Sequence, residues 1–240
     1  MAWMGKYVHS SRFIFAAVIM AGLGGALIWG NLNLSTASSS VKPARNPNTR
    51  NNIQDMILEA AEAEKNGRLP EAIGIYEKIL AQDPQAAVVY LKLGQIYFRM
   101  GLPTKSEEAY LKAIGYGLND PDVFLFLGYI KESQSKLDLA LEYYSKAELA
   151  ASRNPVLYFN MGNVHAQLGH ADQALTYFKR AVVLNPDYMD AFVNLSIVSA
   201  QAGEYFDAQY YLEKAEKLGY HAPVQYKEGL AAKVKEPLKK

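Results

Sequence analysis

The sequence predicts an all-α fold: five helix-turn-helix units stacked in order, a C-terminal capping helix, and one transmembrane helix ahead of them. Three observations predict it. Residues 53–222 repeat with a period of 34, the mark of stacked supersecondary units that cannot bury a core alone. Within each period large and small side chains alternate at fixed places, as two antiparallel helices in contact require. Ahead of the repeats, Phe13 to Gly30 is an unbroken uncharged run, FIFAAVIMAGLGGALIWG.

That run is the first element. At 1.5 Å per residue it spans about 27 Å, close to a hydrocarbon core. Arg12 precedes it, Trp29 closes it, and Trp3 and Tyr7 lie upstream, the residues expected at a membrane interface. Its length favours an uncleaved signal anchor. The competing reading is a cleaved signal peptide, with Ser35-Thr36-Ala37 as its small-residue site. Lys6 and Arg12 lie closer to the run than Lys42, Arg45 and Arg50, which predicts an inside N-terminus and a body outside the cytoplasm. Residues 1–12 form a short basic tail. Residues 31–52, rich in Ser, Asn, Pro and Arg, read as a flexible linker.

Charge and composition then exclude several functions. The 240 residues carry 25 Lys and Arg against 24 Asp and Glu, but unevenly. Five basic residues and no acid fall in 1–50, and five Lys with two Glu in 223–240, leaving 15 basic and 22 acidic residues in 53–222. A body of net charge −7 lacks the basic footprint that nucleic-acid binding needs. With no cysteine, disulfides, thiolate metal sites and cysteine catalysis are excluded.

The units start at Ile53, Ala87, Pro121, Pro155 and Met189, giving repeats at 53–86, 87–120, 121–154, 155–188 and 189–222. Position 4 is large: Met56, Tyr90, Phe124, Tyr158, Phe192. Position 8 is small: Ala60, Gly94, Gly128, Gly162, Ser196. Position 24 is large again: Tyr76, Tyr110, Tyr144, Phe178, Leu212. Positions 20 and 27 are small, apart from Ile79 at position 27 of the first unit. Position 15 is Gly67, Gly101, Ser135, Gly169 and Gly203, where a left-handed residue ends the first helix. Pro84 and Pro186 fall at position 32, while Pro121, Pro155 and Pro223 open the next first helix. Residues 223–240 match only the start of a unit, with Tyr226 at position 4. They read as a capping helix and basic tail.

This pattern resembles the tetratricopeptide repeat (TPR) family over about seven-tenths of the chain. The fourth unit carries it best, in Tyr158, Met161-Gly162, Gly169, Ala174, Phe178, Ala181 and Pro186. Glu59 and Ser135 depart from it, at places usually filled by Leu and Gly. The resemblance implies a right-handed superhelix, an α-solenoid, whose concave surface is lined by positions 2, 5, 9 and 12 of the first helices. In this chain the expected protein-binding groove is Val88, Leu91, Gln95, Phe98, Asp122, Leu125, Tyr129, Glu132, Val156, Phe159, Asn163, Asp190 and Val193. Position 5 is apolar throughout, which suits an apolar or amphipathic segment of a protein partner, with Asp122, Glu132 and Asp190 open to a basic residue. The competing reading packs position 5 against the neighbouring first helix. A carboxylate clamp of the kind some TPR domains use fits Asn163 and Asn194, but Phe159, Val224 and Glu228 stand where basic partners are needed.

No catalytic residue, cofactor, metal or small-molecule substrate is expected. His165 sits at a core position, His170 at a turn and His221 in a junction, and no histidine pair has metal-ligand spacing. The expectation is a non-enzymatic, single-pass scaffold or adaptor with its TPR domain on the periplasmic side of a bacterial cytoplasmic membrane, supporting assembly of a membrane or envelope complex. The alternatives are a periplasmic maturation chaperone resembling the TPR components of cytochrome c maturation, and a fixed structural subunit of a larger membrane complex.

Overall fold

The computed structural model describes residues 47–150 and 153–235. The expected membrane span at 13–30 and the tail at 1–12 lie outside the described residues. Among the described residues there are eleven helices and no strand, and no helix is long and apolar enough to cross a membrane. They run α1 Pro47–Lys65, α2 Leu69–Gln82, α3 Ala87–Arg99, α4 Pro103–Gly115, α5 Pro121–Ser133, α6 Leu137–Leu149, α7 Pro155–Gln167, α8 Ala171–Leu184, α9 Met189–Ala202, α10 Tyr205–Lys217 and α11 Val224–Lys235. They fall into two compact units, divided within α7 between Val164 and His165.

One part of the expected linker is helical instead. α1 begins at Pro47, six residues ahead of the expected boundary at Ile53. Proline suits a first helical turn, and extending a helix already anchored downstream by packing needs no new nucleation. α1 packs through Ala60 and Ala63, with Ile53, Met56 and Ile57 around them, against Ala72, Ile75, Tyr76 and Ile79 of α2. Glu59 is exposed at the place where Leu93, Leu127, Met161 and Leu195 are buried.

The hairpins close the same way each time. Gly67, Gly101, Gly169 and Gly203 all have positive φ, as does Ser135 at 59°. The next residue's N–H turns back to a carbonyl five residues earlier. Arg68 reaches Ala63, Leu102 Tyr97, Lys136 Lys131, His170 His165 and Glu204 Ser199, all at 2.8–2.9 Å. This double turn satisfies the last carbonyls of one helix while that same residue, Arg68, Leu102, Lys136, His170 or Glu204, flanks the N-terminus of the next helix.

Two junction types follow the proline positions. Asp83, Asp120, Asn154 and Asn185 each precede a proline and accept the N–H two residues on, at 2.8–3.4 Å. Where the proline falls late, before Pro121 and Pro223, a glycine of positive φ (Gly117 or Gly219) first ends the second helix.

Close approach of the two helices depends on position 8. A Cβ on Gly94 would lie 2.6 Å from the Tyr110 ring, and one on Gly128 would meet the Tyr144 ring as closely. Both rings are fully buried. A hydroxyl crosses the same contact from either side. In repeat two Ser106 Oγ donates to the Gly94 carbonyl at 2.8 Å, and in repeat five Ser196 Oγ donates to the Ala208 carbonyl at 2.8 Å. Positions 8 and 20 exchange the serine while the bond survives.

First and second helices differ in what they bury. α4 buries only Ser106, Ala109, Tyr110 and Ala113, one amphipathic stripe. α7 buries every residue from Leu157 to Val164. A helix buried on most sides is apolar on most sides, with Asn160 and Asn163 as the buried polar exceptions, so this first helix carries a longer hydrophobic run than α4. At the C-terminus α11 lays Leu230 and Tyr226 onto Ala200, Ala208, Leu212 and Ala222, and the Tyr226 hydroxyl meets Ser196 Oγ at 2.8 Å. Lys227 pairs with Glu216 there.

Ser135 alone holds the left-handed turn with a Cβ. Ser135→Gly should stabilise the chain by about 1 kcal/mol, seen as a rise of about 2–4 °C in Tm on thermal unfolding.

Candidate functional site

The first helices carry the candidate surface. In the unit that ends at Val164, α3 supplies Val88, Leu91, Gln95 and Phe98, α5 supplies Asp122, Leu125, Tyr129 and Glu132, and α7 supplies Val156, Phe159 and Asn163. These lie three or four residues apart, so each set forms one helical stripe. Asp190 and Val193 stand on α9 in the other unit, both half-buried.

The stripe is not uniformly open. Leu91, Leu125 and Phe159 retain only 7 %, 8 % and 6 % of their surface, and Asn163 1 %. Expected as groove lining, these four are packing residues first. Leu91 shows the reason: it shares a cluster with Tyr110, Val123, Leu127 and Ile130, so position 5 fills the seam to the next first helix. Val88 and Asp122 are exposed, while Gln95, Phe98, Tyr129, Glu132 and Val156 are half-buried.

An aromatic corner lies between α3 and α5. The Phe98 ring stands 5.1 Å from Phe126 and 5.3 Å from Tyr129, edge-on to the latter. Phe126 stacks on Tyr110 at 5.6 Å. Phe126 occupies position 6 and is absent from the expected inward positions. The available signal was Phe98 itself, because position 12 holds Glu64 in repeat one and Glu132 in repeat three. Those carboxylates accept the hydroxyls of Tyr76 at 2.6 Å and Tyr144 at 2.7 Å. With Phe98 in that place, the Tyr110 hydroxyl is buried without a hydrogen-bond partner. Burial pushes its pKa well up, and the charges of Asp122 and Asp120 add to the rise.

The second helices show a plainer surface. Lysines cap their rings and those of the neighbouring first helices, with Lys112 over Tyr90, Lys105 over Tyr97, Lys146 over Tyr143 and Lys214 over Tyr210, at 5.0–5.6 Å. In repeat five the inward residue is Leu212, and Tyr210 and Tyr211 meet edge-on outside it. The buried Lys131 ammonium pairs with Glu107, a structural pair between α4 and α5. His165 stacks flat on Tyr177 at 5.3 Å with His170 beside it, and burial, then the His170 charge, lowers its pKa. It is a packed imidazole. Among the described residues no group of three or more His, Asp or Glu side chains gathers to hold a metal.

Two carboxylates sit in unfavourable surroundings. Burial raises the pKa of Asp122, helped by the nearby Asp120 charge, and burial alone raises that of Asp190. Asp122 counts as exposed by its surface, yet enough protein surrounds its carboxyl to desolvate it. A carboxyl with a raised folded-state pKa costs stability at neutral pH, and the cost fades as pH falls toward the ordinary aspartate range. Asp122→Asn and Asp190→Asn should therefore each raise Tm at neutral pH by about a degree or two, with the gain vanishing on acidification. A fall in Tm would instead make them ordinary helix N-terminal acids.

Comparison with known proteins bears on the repeats and the fold. Residues 63–127 and 155–188 each match a tetratricopeptide repeat family model. No curated protein matches the sequence. Among solved structures, YrrB, a TPR protein with an unusual peptide-binding site, is 26 % identical with a TM-score of 0.61, over 75 % of this chain and 90 % of that one. MamA is 21 % identical with a TM-score of 0.63, over 78 % and 98 %. PilW, a widely conserved type IV pilus biogenesis factor, is 20 % identical with a TM-score of 0.61, over 76 % and 86 %. The last two likenesses are of fold. The described helices form an α-solenoid of helical hairpins, and residues 63–127 and 155–188 are tetratricopeptide repeats.

Proposed function

We propose that this chain is a non-catalytic scaffold. It holds a segment of a protein partner against the first helices of its repeats, at a membrane to which residues 13–30 tether it. One observation carries the reading. After the hairpin contacts are made, α3, α5 and α7 still present a row of incompletely buried apolar and aromatic side chains: Val88, Phe98, Tyr129 and Val156. The likeness to YrrB, with its peptide-binding site, supports the same use of the surface. Tethering makes each encounter with a membrane-borne partner effectively intramolecular, so modest affinity suffices. Service in assembling a membrane or envelope complex extends the proposal, on the strength of the 13–30 run.

The test is photocrosslinking in intact cells from the full chain. A crosslinker at Val88 or Gln95 should capture a protein partner. One at Leu111, which is 43 % exposed on the second helix α4, should not. Capture from Leu111 alone would move the site to the other face. Intact mass of the membrane-extracted chain tests the tether: retention of 13–30 supports it, and a new N-terminus near Ser38 overturns it.

A further inference from the structure

Repeat two breaks the polar habit of the repeats on either side of it. Repeats one and three close Tyr76 and Tyr144 with Glu64 and Glu132. In repeat two Phe98 takes the carboxylate's place, and its ring is shared among Phe126 and Tyr129 instead. An apolar corner thus stands where the two flanking repeats are polar, and Phe98, Phe126 and Tyr129 are all only half-buried. Asp122 lies two helical turns before Tyr129 on the same face of α5.

No described cation answers Asp122. Four of the five cations on α3, α4 and α5 have other partners: Lys131 pairs with Glu107, Arg99 lies near Glu64, Lys112 over Tyr90 and Lys105 over Tyr97. Asp120 beside it spends a carboxylate oxygen on the Asp122 N–H at 2.8 Å, which adds negative charge without neutralising any. Glu132, at the far end of the stripe, already accepts from Tyr144. The face therefore offers one uncommitted carboxylate next to an aromatic corner, within a body of net negative charge.

We propose that the α3–α5 face selects a peptide segment in which a Lys or Arg stands about three residues from a large apolar side chain. The apolar side chain rests on Phe98, Phe126 and Tyr129, and the cation pairs with Asp122. Seven residues of α5 cover about 10.5 Å, which about three residues of extended chain match. The pair is charge-assisted, and the aromatic edges also favour a cation's approach. The negative body draws such a segment in at low salt. A raised Asp122 pKa fits a carboxylate kept for a partner and not for folding. This inference rests on the scaffold reading and names its partner's chemistry.

The experiment is selection of a randomised peptide library on the full 240-residue chain, in parallel with its Asp122→Asn and Tyr129→Ser variants. Wild type should enrich Lys or Arg about three residues from Phe, Leu or Met. Asp122→Asn should keep the apolar preference, lose the basic one, and bind the wild-type peptides about tenfold more weakly. Tyr129→Ser should lose the apolar preference. Enrichment of acidic peptides, or a basic preference unchanged in Asp122→Asn, overturns the inference while leaving the scaffold reading intact. Peptides that bind all three proteins alike and crosslink to second helices overturn both.

Discussion

The structure depends on one contact: the aromatic ring at position 24 lying against a residue with little or no side chain at position 8. Gly94 faces Tyr110, and Gly128 faces Tyr144, with no room for a methyl group at either. That contact brings two helices close enough for a hydroxyl to bridge their backbones, from Ser106 in one repeat and Ser196 in another. The left-handed turn at position 15 delivers the second helix to it in register. Each hairpin is incomplete alone, and its remaining apolar side chains find partners in the next.

This division of labour decides what is left for a partner. Positions 4, 8, 20, 24 and 27 are committed within the hairpin or to its neighbour. Position 5 joins them, as Leu91 does with Val123 and Leu127. What stays available is the edge of the stripe: Val88 and Asp122 in the open, Gln95, Phe98, Tyr129 and Val156 at half burial. A partner therefore meets a surface with a few aromatic anchors and an isolated carboxylate, not a continuous apolar trough. Such a surface gains its energy from a few anchors and its selectivity from charge.

The repeats were legible because the same choices recur in five units at fixed offsets, so the turn residue at 203 is as plain as that at 101. Ser135 was legible too, as the one place where the required backbone and the residue disagree. The burial of Leu91, Leu125 and Phe159 was not. An apolar residue at position 5 has the same letter whether it faces a neighbouring helix or a ligand, and only packing separates the two. Phe126 escaped notice for a related reason: its ring turns toward Phe98 and Tyr110 from a position outside the expected inward set. The start of α1 was hidden because Asn, Thr and Arg resemble a linker in composition, whatever conformation the downstream helix imposes on them.

Repeat five shows how the central contact tolerates change, pairing a larger Ser196 with a smaller Leu212. The most direct measurement is a double-mutant cycle on thermal and denaturant unfolding of the full chain, with Gly128→Ser, Tyr144→Leu and both together. If the ring dictates the small residue, each single change destabilises, and the pair recovers about 1–2 kcal/mol relative to their sum. Additive losses, with no coupling between the two positions, would contradict the account.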